Sequence, residues 1–321
     1  MTSALSGMAT RVRVVVSRLL RLMGLGDDAF LTLLAVLIGA VTAAAAVGFH
    51  ELIDFVRDRL YQRPGARVLY GPGLLLLVLW PALGGLVVGM VSRYVARTRE
   101  GRGIIDVIES VIRSRGFIKP TVAIEKIFTS AVTIGTGGSC GAEGPIVQIG
   151  AAIASGFGQL FRLARQQMPI VIGCGAAAGI SAIFNSPIGG VLFTLEVILQ
   201  DFSIRTFTPV VVASVIANVT VRAIFFQVSG EEFRAIFALP PWEVSRHAEV
   251  SWGQLGNYVI LGGVCGLAGV ALTRFMVWTE RQFARLEKLG AWRPALGGLL
   301  LGLSGVAYVM IFGWGLMGRD K

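Results

Sequence analysis

The middle of the chain reads Gly135-Thr136-Gly137-Gly138-Ser139-Cys140-Gly141-Ala142-Glu143-Gly144-Pro145. This glycine-rich stretch separates two strongly apolar segments and carries one carboxylate, that of Glu143. An acid inside a membrane helix costs about 2.5–3.5 kcal/mol on insertion scales, so it needs hydrogen-bond donors nearby. Glycines can supply them, because a backbone without Cβ atoms lets N–H groups converge on one point. Pro145 suits the first turn of a new helix, whose partially positive N-terminus could hold a free anion once the carboxylate swings out.

The composition predicts an all-α, multi-pass membrane protein. Hydrophobic residues make up 54% of the chain and charged residues 15%, whereas soluble domains contain about 25% charged residues. The apolar segments are roughly 29–49, 71–91, 121–137, 146–161, 169–183, 187–199, 207–226, 255–278 and 295–314. Several reach the ~20 residues of a full span, but 146–161, 169–183 and 187–199 are short enough for re-entrant or partial helices.

Basic residues lie mainly at the ends of these segments. Residues 1–28 are basic and lack a small-residue cleavage site, which predicts a cytosolic N-terminal arm and no signal peptide. Arginines at the ends of spans favour the cytosolic side of a membrane. The net charge of +10 is therefore explained by membrane flanks. We predict a location in the cell membrane, with the lipid bilayer and no nucleic acid as partner.

The string Pro-Ala-Leu-Gly-Gly occurs twice, at residues 81–85 and 294–298, an offset of 213 residues (294 − 81). Each copy opens an apolar helix, which indicates an internal repeat. Transporters are commonly built from such repeats, with substrate sites where broken helices meet near the midplane. We predict a first transmembrane repeat at 29–226, a connecting loop at 227–254 and the start of a second repeat at 255–321. Because the second copy is much shorter, we expect the second repeat to be incomplete.

Four patterns belong together. They are Gly101-Arg102-Gly103-Ile104-Ile105; Gly141-Ala142-Glu143-Gly144-Pro145, continuing into Ile146-Val147-Gln148-Ile149-Gly150; Cys174-Gly175-Ala176-Ala177-Ala178-Gly179, followed by Phe184-Asn185-Ser186-Pro187; and Gly190-Val191-Leu192-Phe193-Thr194-Leu195-Glu196-Val197. In these patterns the chain resembles the CLC family of voltage-gated chloride channels and proton-coupled chloride antiporters. The resemblance covers roughly residues 30–314. It implies two inverted repeats with broken and re-entrant helices, a homodimer when full length, one pathway per subunit for chloride or another small anion, and no cofactor.

The resemblance also implies a site built from backbone N–H groups. The implied anion-binding residues are Gly101, Arg102, Gly103 and Ile104 in one turn, and Gly141, Ala142, Gly144 and Pro145 in the other. Arg102 stands where the family has serine, so a hydroxyl is lost. Ala142 stands where the family has arginine or lysine, so the usual cation is lost.

Glu143 would be the gate of this pathway. Its carboxylate would fill the outer anion site and leave on protonation or displacement. A structural acid is the alternative for Glu143.

A second family carboxylate, which passes protons in the exchangers, falls by register at Val197. Valine cannot ionise, and channels of the family commonly have valine there, so passive anion conduction is favoured. Proton-coupled exchange stays open, because other proton routes are possible. Glu196 is expected to be a structural or interface acid, paired with a buried polar group.

The sequence argues against two other classes of protein, serine hydrolases and metal-binding proteins. Gly137-x-Ser139-x-Gly141 matches the nucleophile elbow of serine hydrolases, but that elbow needs a preceding strand and a histidine base. Only His50 and His247 exist, and an apolar helix is predicted before the elbow, so we predict no enzyme. Three cysteines without paired spacing predict no metal site. A different secondary transporter with discontinuous helices and a fragment that does not conduct are the remaining alternatives.

Overall fold

The structure is a computed structural model that describes residues 27–62, 74–96, 103–113, 116–229 and 255–317. Within those ranges the ordered elements are helices, and no strand occurs. The first five helices are α1 Asp27–Arg57, α2 Leu74–Met90, α3 Ile104–Ile112, α4 Thr121–Gly135 and α5 Glu143–Leu160. The next five are α6 Met168–Phe184, α7 Pro187–Phe193, α8 Ile204–Ser229, α9 Leu255–Ala284 and α10 Arg293–Met317.

Short turns of different pitch extend several of these helices. Wider π-helical turns continue α1 over Asp58–Gln62, α2 over Val91–Ala96 and α7 over Thr194–Leu199. A 3-10 turn, Glu287–Trp292, leads into α10. The short helix α3, Ile104–Ile112, directly follows Gly103.

Among the residues that the structure describes, five helical stretches are long and apolar enough to cross a membrane. They are Ala29–Tyr61, Leu74–Tyr94, Ile204–Gln227, Leu255–Ala284 and Leu289–Ile311. Met168–Phe184 and Pro187–Leu199 are apolar but shorter. The predicted mixture of full spans and partial helices is therefore confirmed.

The helix α6 is the centre of the core. It is apolar on all sides, and nearly every residue from Met168 to Ile183 is buried, as expected for a helix surrounded by other helices. Its neighbours are α1, α5, α7 and α8. At the crossing with α5, a Cβ on Gly150 would strike the carbonyl oxygen of Gly175, and a Cβ on Gly175 would strike that of Gly150. Glycine at both positions lets the two backbones touch.

The turn after α6 is held from α8. Asn185 ends α6 in the left-handed conformation, with φ of 52°, and Pro187 starts α7. The Asn185 side-chain oxygen accepts hydrogen bonds from Asn218 Nδ2 at 2.8 Å and from Arg222 Nη2 at 2.9 Å. Asparagine tolerates this conformation better than most residues. These bonds fix the direction in which the chain leaves α6.

The start of α8 is capped by an acid in the preceding loop. Asp201 accepts hydrogen bonds from the Ser203 amide at 2.9 Å and the Thr206 hydroxyl at 2.6 Å. The Thr206 hydroxyl, followed by the Ser203 amide, lowers the pKa of Asp201 below its usual range, because both donate to the charged carboxylate. The cap satisfies an amide and a hydroxyl at the entry to α8.

The two copies of the repeated string lie against each other, where α2 and α10 cross. A Cβ on Gly85 would strike the carbonyl of Pro294, and a Cβ on Gly298 would strike that of Pro81. The partner of each copy is thus the other copy, in reversed order. Two antiparallel helices related by an approximate twofold axis make contacts of this kind.

A second pair of contacts obeys the same relation one turn further out. Gly89 lies against the Ala291 carbonyl, and Gly302 lies against the Val78 backbone. Both pairs are related by the offset of 213 residues (302 − 89 and 291 − 78). The twofold relation therefore extends beyond the five repeated residues. By contrast, α9 is exposed along residues 255–278.

From this crossing we predict that replacing Gly85 and Gly305 by alanine has opposite effects on the free energy of unfolding. Gly85→Ala places a methyl group against the Pro294 backbone and should lower the free energy of unfolding by about 1–3 kcal/mol. Gly305→Ala is the matched control in α10, because no atom lies within 4 Å of its Cβ position. There the better helix propensity of alanine should stabilise by up to about 1 kcal/mol. Unfolding in detergent micelles measures both; equal effects would contradict the close crossing.

Candidate anion-binding site

The helix α4 ends in a tight glycine cap. The amide of Gly138 donates to the Thr133 carbonyl at 2.7 Å, and the amide of Gly137 donates to the Ile134 carbonyl at 3.0 Å. These two bonds form a Schellman motif, which needs a residue with positive φ just after the helix. Gly137 has φ of +92°. The glycine-rich stretch therefore breaks the helix at the predicted place.

The next helix, α5, starts on the acid itself. Glu143 is its first residue, and the Ala142 carbonyl accepts the first helical bond, from Ile146 N at 3.0 Å. Pro145 lies in the first turn, as predicted. No described side chain caps this end, so the amides of Glu143 and Gly144 have no helical acceptor. The result is an open helix N-terminus with a partial positive charge.

A second open helix N-terminus, that of α3, meets the first one. Gly103 precedes α3 with φ of +65°, and no described side chain caps it. A Cβ on Gly103 would lie 3.6 Å from Gly144 Cα, and a Cβ on Gly144 would lie 3.9 Å from Gly103 Cα. The structure thus brings the predicted residues Gly103 and Gly144 together, with Ile104 next to Gly103 at the start of α3. Gly101 and Arg102 lie outside the described residues.

The Glu143 side chain folds back over the loop that precedes it. A Cβ on Gly141 would collide with its Oε2 atom and lie 3.2 Å from Oε1. Only a residue without a Cβ leaves room for this position of the carboxylate. Gly141 is therefore required by the side chain of Glu143, in addition to the loop.

Two expectations about acids are wrong. Glu143 is exposed, and within the described ranges its carboxylate has no hydrogen-bond donor or ion-pair partner, although the sequence predicted donors around it. The amide of Cys140 in this loop donates to Gly138 O at 2.9 Å instead. Glu196 is also exposed on its π-helical turn, and among the described residues no buried polar group pairs with it.

A polar contact that the sequence did not predict joins the two converging helices. Gln148 of α5 is 4% exposed, and its Nε2 donates to Asp106 Oδ2 of α3 at 2.8 Å. Both residues line a cavity of about 310 Å³, together with Ser110, Glu125, Lys119 and Lys126. Gln148 and Asp106 are 42 positions apart, and no pattern in the sequence predicts their contact.

The charge around the break comes from α4 as well as from α5. Lys126 and Glu143 both lie close enough to Cys140 to act on it electrostatically. Ala142 itself carries no charge, although the resemblance implied a cation at that position. Val197, on the π-helical turn after α7, is 37% exposed, and that turn packs against α3.

The hydrolase and metal alternatives gain nothing from the geometry. The residues before Ser139 form the helix α4, whereas a nucleophile elbow follows a strand. Among the residues that the structure describes, no group of three His, Cys, Asp or Glu side chains could hold a metal ion. The three cysteines are free, with Cys174 buried and Cys140 and Cys265 exposed.

Comparison with known families agrees with this geometry. The family described as voltage gated chloride channel matches residues 84–318. The chain belongs to this family, the CLC family.

Curated CLC relatives are similar over most of this chain. A protein of Ralstonia nicotianae described as ClcB-like is 29% identical over 288 residues, which are 88% of this chain and 65% of that protein. Chloride channel protein CLC-e of Arabidopsis thaliana is 32% identical over 305 residues, which are 89% of this chain and 41% of that protein. The chain therefore spans less than two thirds of the length of these relatives.

Solved structures show the same fold. A slow cyanobacterial Cl⁻/H⁺ antiporter aligns with a TM-score of 0.72 at 21% identity, over 86% of this chain and 63% of that one. A CLC-type fluoride/proton antiporter aligns with a TM-score of 0.70 at 23% identity, over 88% and 65% of the two chains. The predicted CLC-type helical fold is confirmed.

The contact between α3 and α5 generates a test of the site's rigidity. Gln148→Leu keeps a side chain of similar size but removes the donor to Asp106, and a bond to a charged group contributes about 1.5–3 kcal/mol. We expect the free energy of unfolding in detergent to fall by about that amount. Gln166→Leu, at an exposed position between α5 and α6, is the matched control and should change it by less than about 0.5 kcal/mol. Equal losses would contradict the role given to Gln148.

Proposed function

We propose that this chain takes part in the passive conduction of chloride or another small anion across the cell membrane, with Glu143 as the gate. The observation that carries the proposal is the meeting of two uncapped helix N-termini at Gly103 and Gly144, beside a carboxylate without a described partner. Family membership supports the proposal from a separate direction.

Backbone amides are proposed to bind the anion. The amides of Gly103 and Ile104 belong to one helix start, and those of Gly141, Ala142 and Gly144 belong to the other. Open helix ends hold anions because their free N–H groups and the helix dipole act together. Pro145 donates no hydrogen bond, but it fixes the first turn.

Arg102 is proposed to add a positive charge at the inner mouth, in place of the family's serine. The charge would raise the local concentration of anions without contacting the bound one.

Glu143 is proposed to compete with the anion for these amides. Its carboxylate lies against Gly141 and is free to move, since no described group holds it. A negatively charged side chain in the outer site repels an anion that approaches the same amides. Protonation removes that charge, and a permeating anion can displace the side chain, so either event opens the pathway.

Passive conduction is proposed because of Val197. A residue that cannot ionise cannot relay protons to Glu143 from the inner side. Proton-coupled exchange is the second candidate, because the two solved structures described above are named as antiporters.

Assembly and organisation are also part of the proposal. We propose a homodimer in the full-length protein and a membrane region made of one repeat at 29–226, a connecting loop at 227–254 and the start of a second repeat at 255–321. The arm at 1–28 would lie in the cytosol. The reciprocal contacts of α2 and α10 support the two repeats.

Removing the charge of the gate is the direct test. Glu143→Gln should raise halide efflux from liposomes about tenfold, which corresponds to about 1.4 kcal/mol less competition for the amides, and should abolish the dependence of efflux on pH. Glu51→Gln, at an exposed position on α1, is the control and should leave both unchanged. Efflux by Glu143→Gln that still varied with pH as in the unmodified chain would refute the gate.

Proton movement separates the two candidates. An outward chloride gradient should move no protons through the unmodified chain, and Val197→Glu should be the variant in which proton uptake appears. Val197→Gln is the matched control, because it is polar but cannot ionise. A pH electrode or an internal pH dye measures the uptake. Proton uptake by the unmodified chain would replace passive conduction with exchange.

A further inference from the structure

Tyr61 connects the far end of α1 to the break that precedes Glu143. Its hydroxyl donates a hydrogen bond of 2.7 Å to the backbone carbonyl of Thr136, across a sequence separation of 75 residues. Thr136 is the C-cap of α4 and the first residue of what we call the gate segment, residues 136–142. The bond satisfies a carbonyl at a helix end, where no amide of the helix is available to it.

The space around this bond is closed on the side of Gly137. A Cβ on Gly137 would lie 2.8 Å from the Tyr61 hydroxyl oxygen, which is too close for a real carbon atom. Gly137 is therefore required twice, by its φ of +92° and by the tyrosine. The hydroxyl occupies the place that a side chain at this position would need.

The opposite side of Thr136 is closed by α2. A Cβ on Gly84 would lie 2.7 Å from Thr136 Cβ and 2.8 Å from its Cγ2, and Thr136 is only 6% exposed. Its own hydroxyl donates to the Val132 carbonyl at 2.8 Å, within α4. Tyr61 thus supplies the polar contact that Thr136 receives from outside α4; its other contacts are packing against α2 and hydrogen bonds within α4.

The element that carries Tyr61 is itself braced. It lies on the π-helical turn Asp58–Gln62, and such wide turns are frequent at functional sites. Just before it, Arg57 Nη2 lies 2.8 Å from Asp54 Oδ1, and the Arg59 guanidinium lies 4.9 Å from the centre of the Phe55 ring. These contacts stabilise the helical stretch that carries the Tyr61 hydroxyl.

The remainder of the gate segment has weaker connections. After the Schellman bonds, its described backbone bonds are those from Cys140 N to Gly138 O and from Ile146 N to Ala142 O, and residues 139–141 are exposed. Glu143 follows directly. Because the Glu143 carboxylate lies against Gly141, any shift of the backbone at residues 139–141 changes the space that the closed carboxylate occupies.

We propose that Tyr61 is a positioning residue that anchors the gate segment to α1 and thereby limits how readily Glu143 leaves its closed position. The effect on conduction rests on the gate role proposed for Glu143. The anchoring itself is a property of the fold. When the hydroxyl is absent, the segment opens more often, and the carboxylate is displaced at lower anion concentration.

Cysteine alkylation tests the anchor without any measurement of transport. Cys140 lies in the gate segment and is exposed, whereas Cys174 is buried, so a Cys265→Ser background leaves Cys140 as the reactive thiol. Tyr61→Phe keeps the ring and removes the hydroxyl. It should raise the rate of maleimide labelling at Cys140 about fivefold, the factor that corresponds to one ordinary hydrogen bond.

The matched control is Tyr94→Phe in the same background, because Tyr94 is 68% exposed on the turn after α2. It should leave the labelling rate unchanged. An equal rate in Tyr61→Phe and Tyr94→Phe would overturn the anchor. An increase in both would overturn it too, since the effect would then not depend on the bond to Thr136.

Halide efflux tests the consequence for the gate. Tyr61→Phe should shift the dependence of efflux on pH and on anion concentration, and should have no further effect in Glu143→Gln. An unshifted profile despite faster labelling would overturn the positioning role. Absence of efflux from the unmodified chain at every pH would refute the proposed function, while the labelling rate would still decide the anchor.

Discussion

The structure depends on a constraint of apolar surroundings: a backbone N–H group that loses water must find an acceptor, at a cost of several kcal/mol if it does not. Long helices meet this requirement internally, but α3 and α5 begin with amides that no described side chain caps. Both starts lie at the contact of Gly103 with Gly144. The surrounding helices hold the N-termini of α3 and α5 together, although their uncapped amides cost free energy.

Glycine makes this arrangement possible at each level. Contact of the α5 and α6 backbones at Gly150 and Gly175 places α5 against the most buried helix of the core. Gly141 leaves room for the carboxylate of Glu143, and Gly137 turns the chain out of α4. The same residue type thus provides packing, space for a side chain and a change of direction. The composition alone, with its 42 glycines, indicates only the first of these roles.

The sequence was enough to predict the helical membrane fold and the break before Glu143, because hydropathy and local glycine patterns indicate both. The meeting of residues 103–104 with 141–144 could be predicted from the family resemblance. The bond from Gln148 to Asp106 and that from Tyr61 to Thr136 could not, since each joins distant residues of ordinary type. The partners of acids were also predicted wrongly. Hydropathy places Glu143 in an apolar region but does not tell on which side of its helix it lies, and there it is exposed.

The crossing of α2 and α10 has a consequence for the natural variation of these proteins. Because 81–85 and 294–298 face one another, a methyl group added at Gly85 or Gly298 would overlap the backbone of the other string. Homologues that have lost one of these glycines should therefore have the two helices further apart at this crossing. The strings at 81–85 and 294–298 would then remain similar to each other because they pack together, even after the rest of the two halves had diverged.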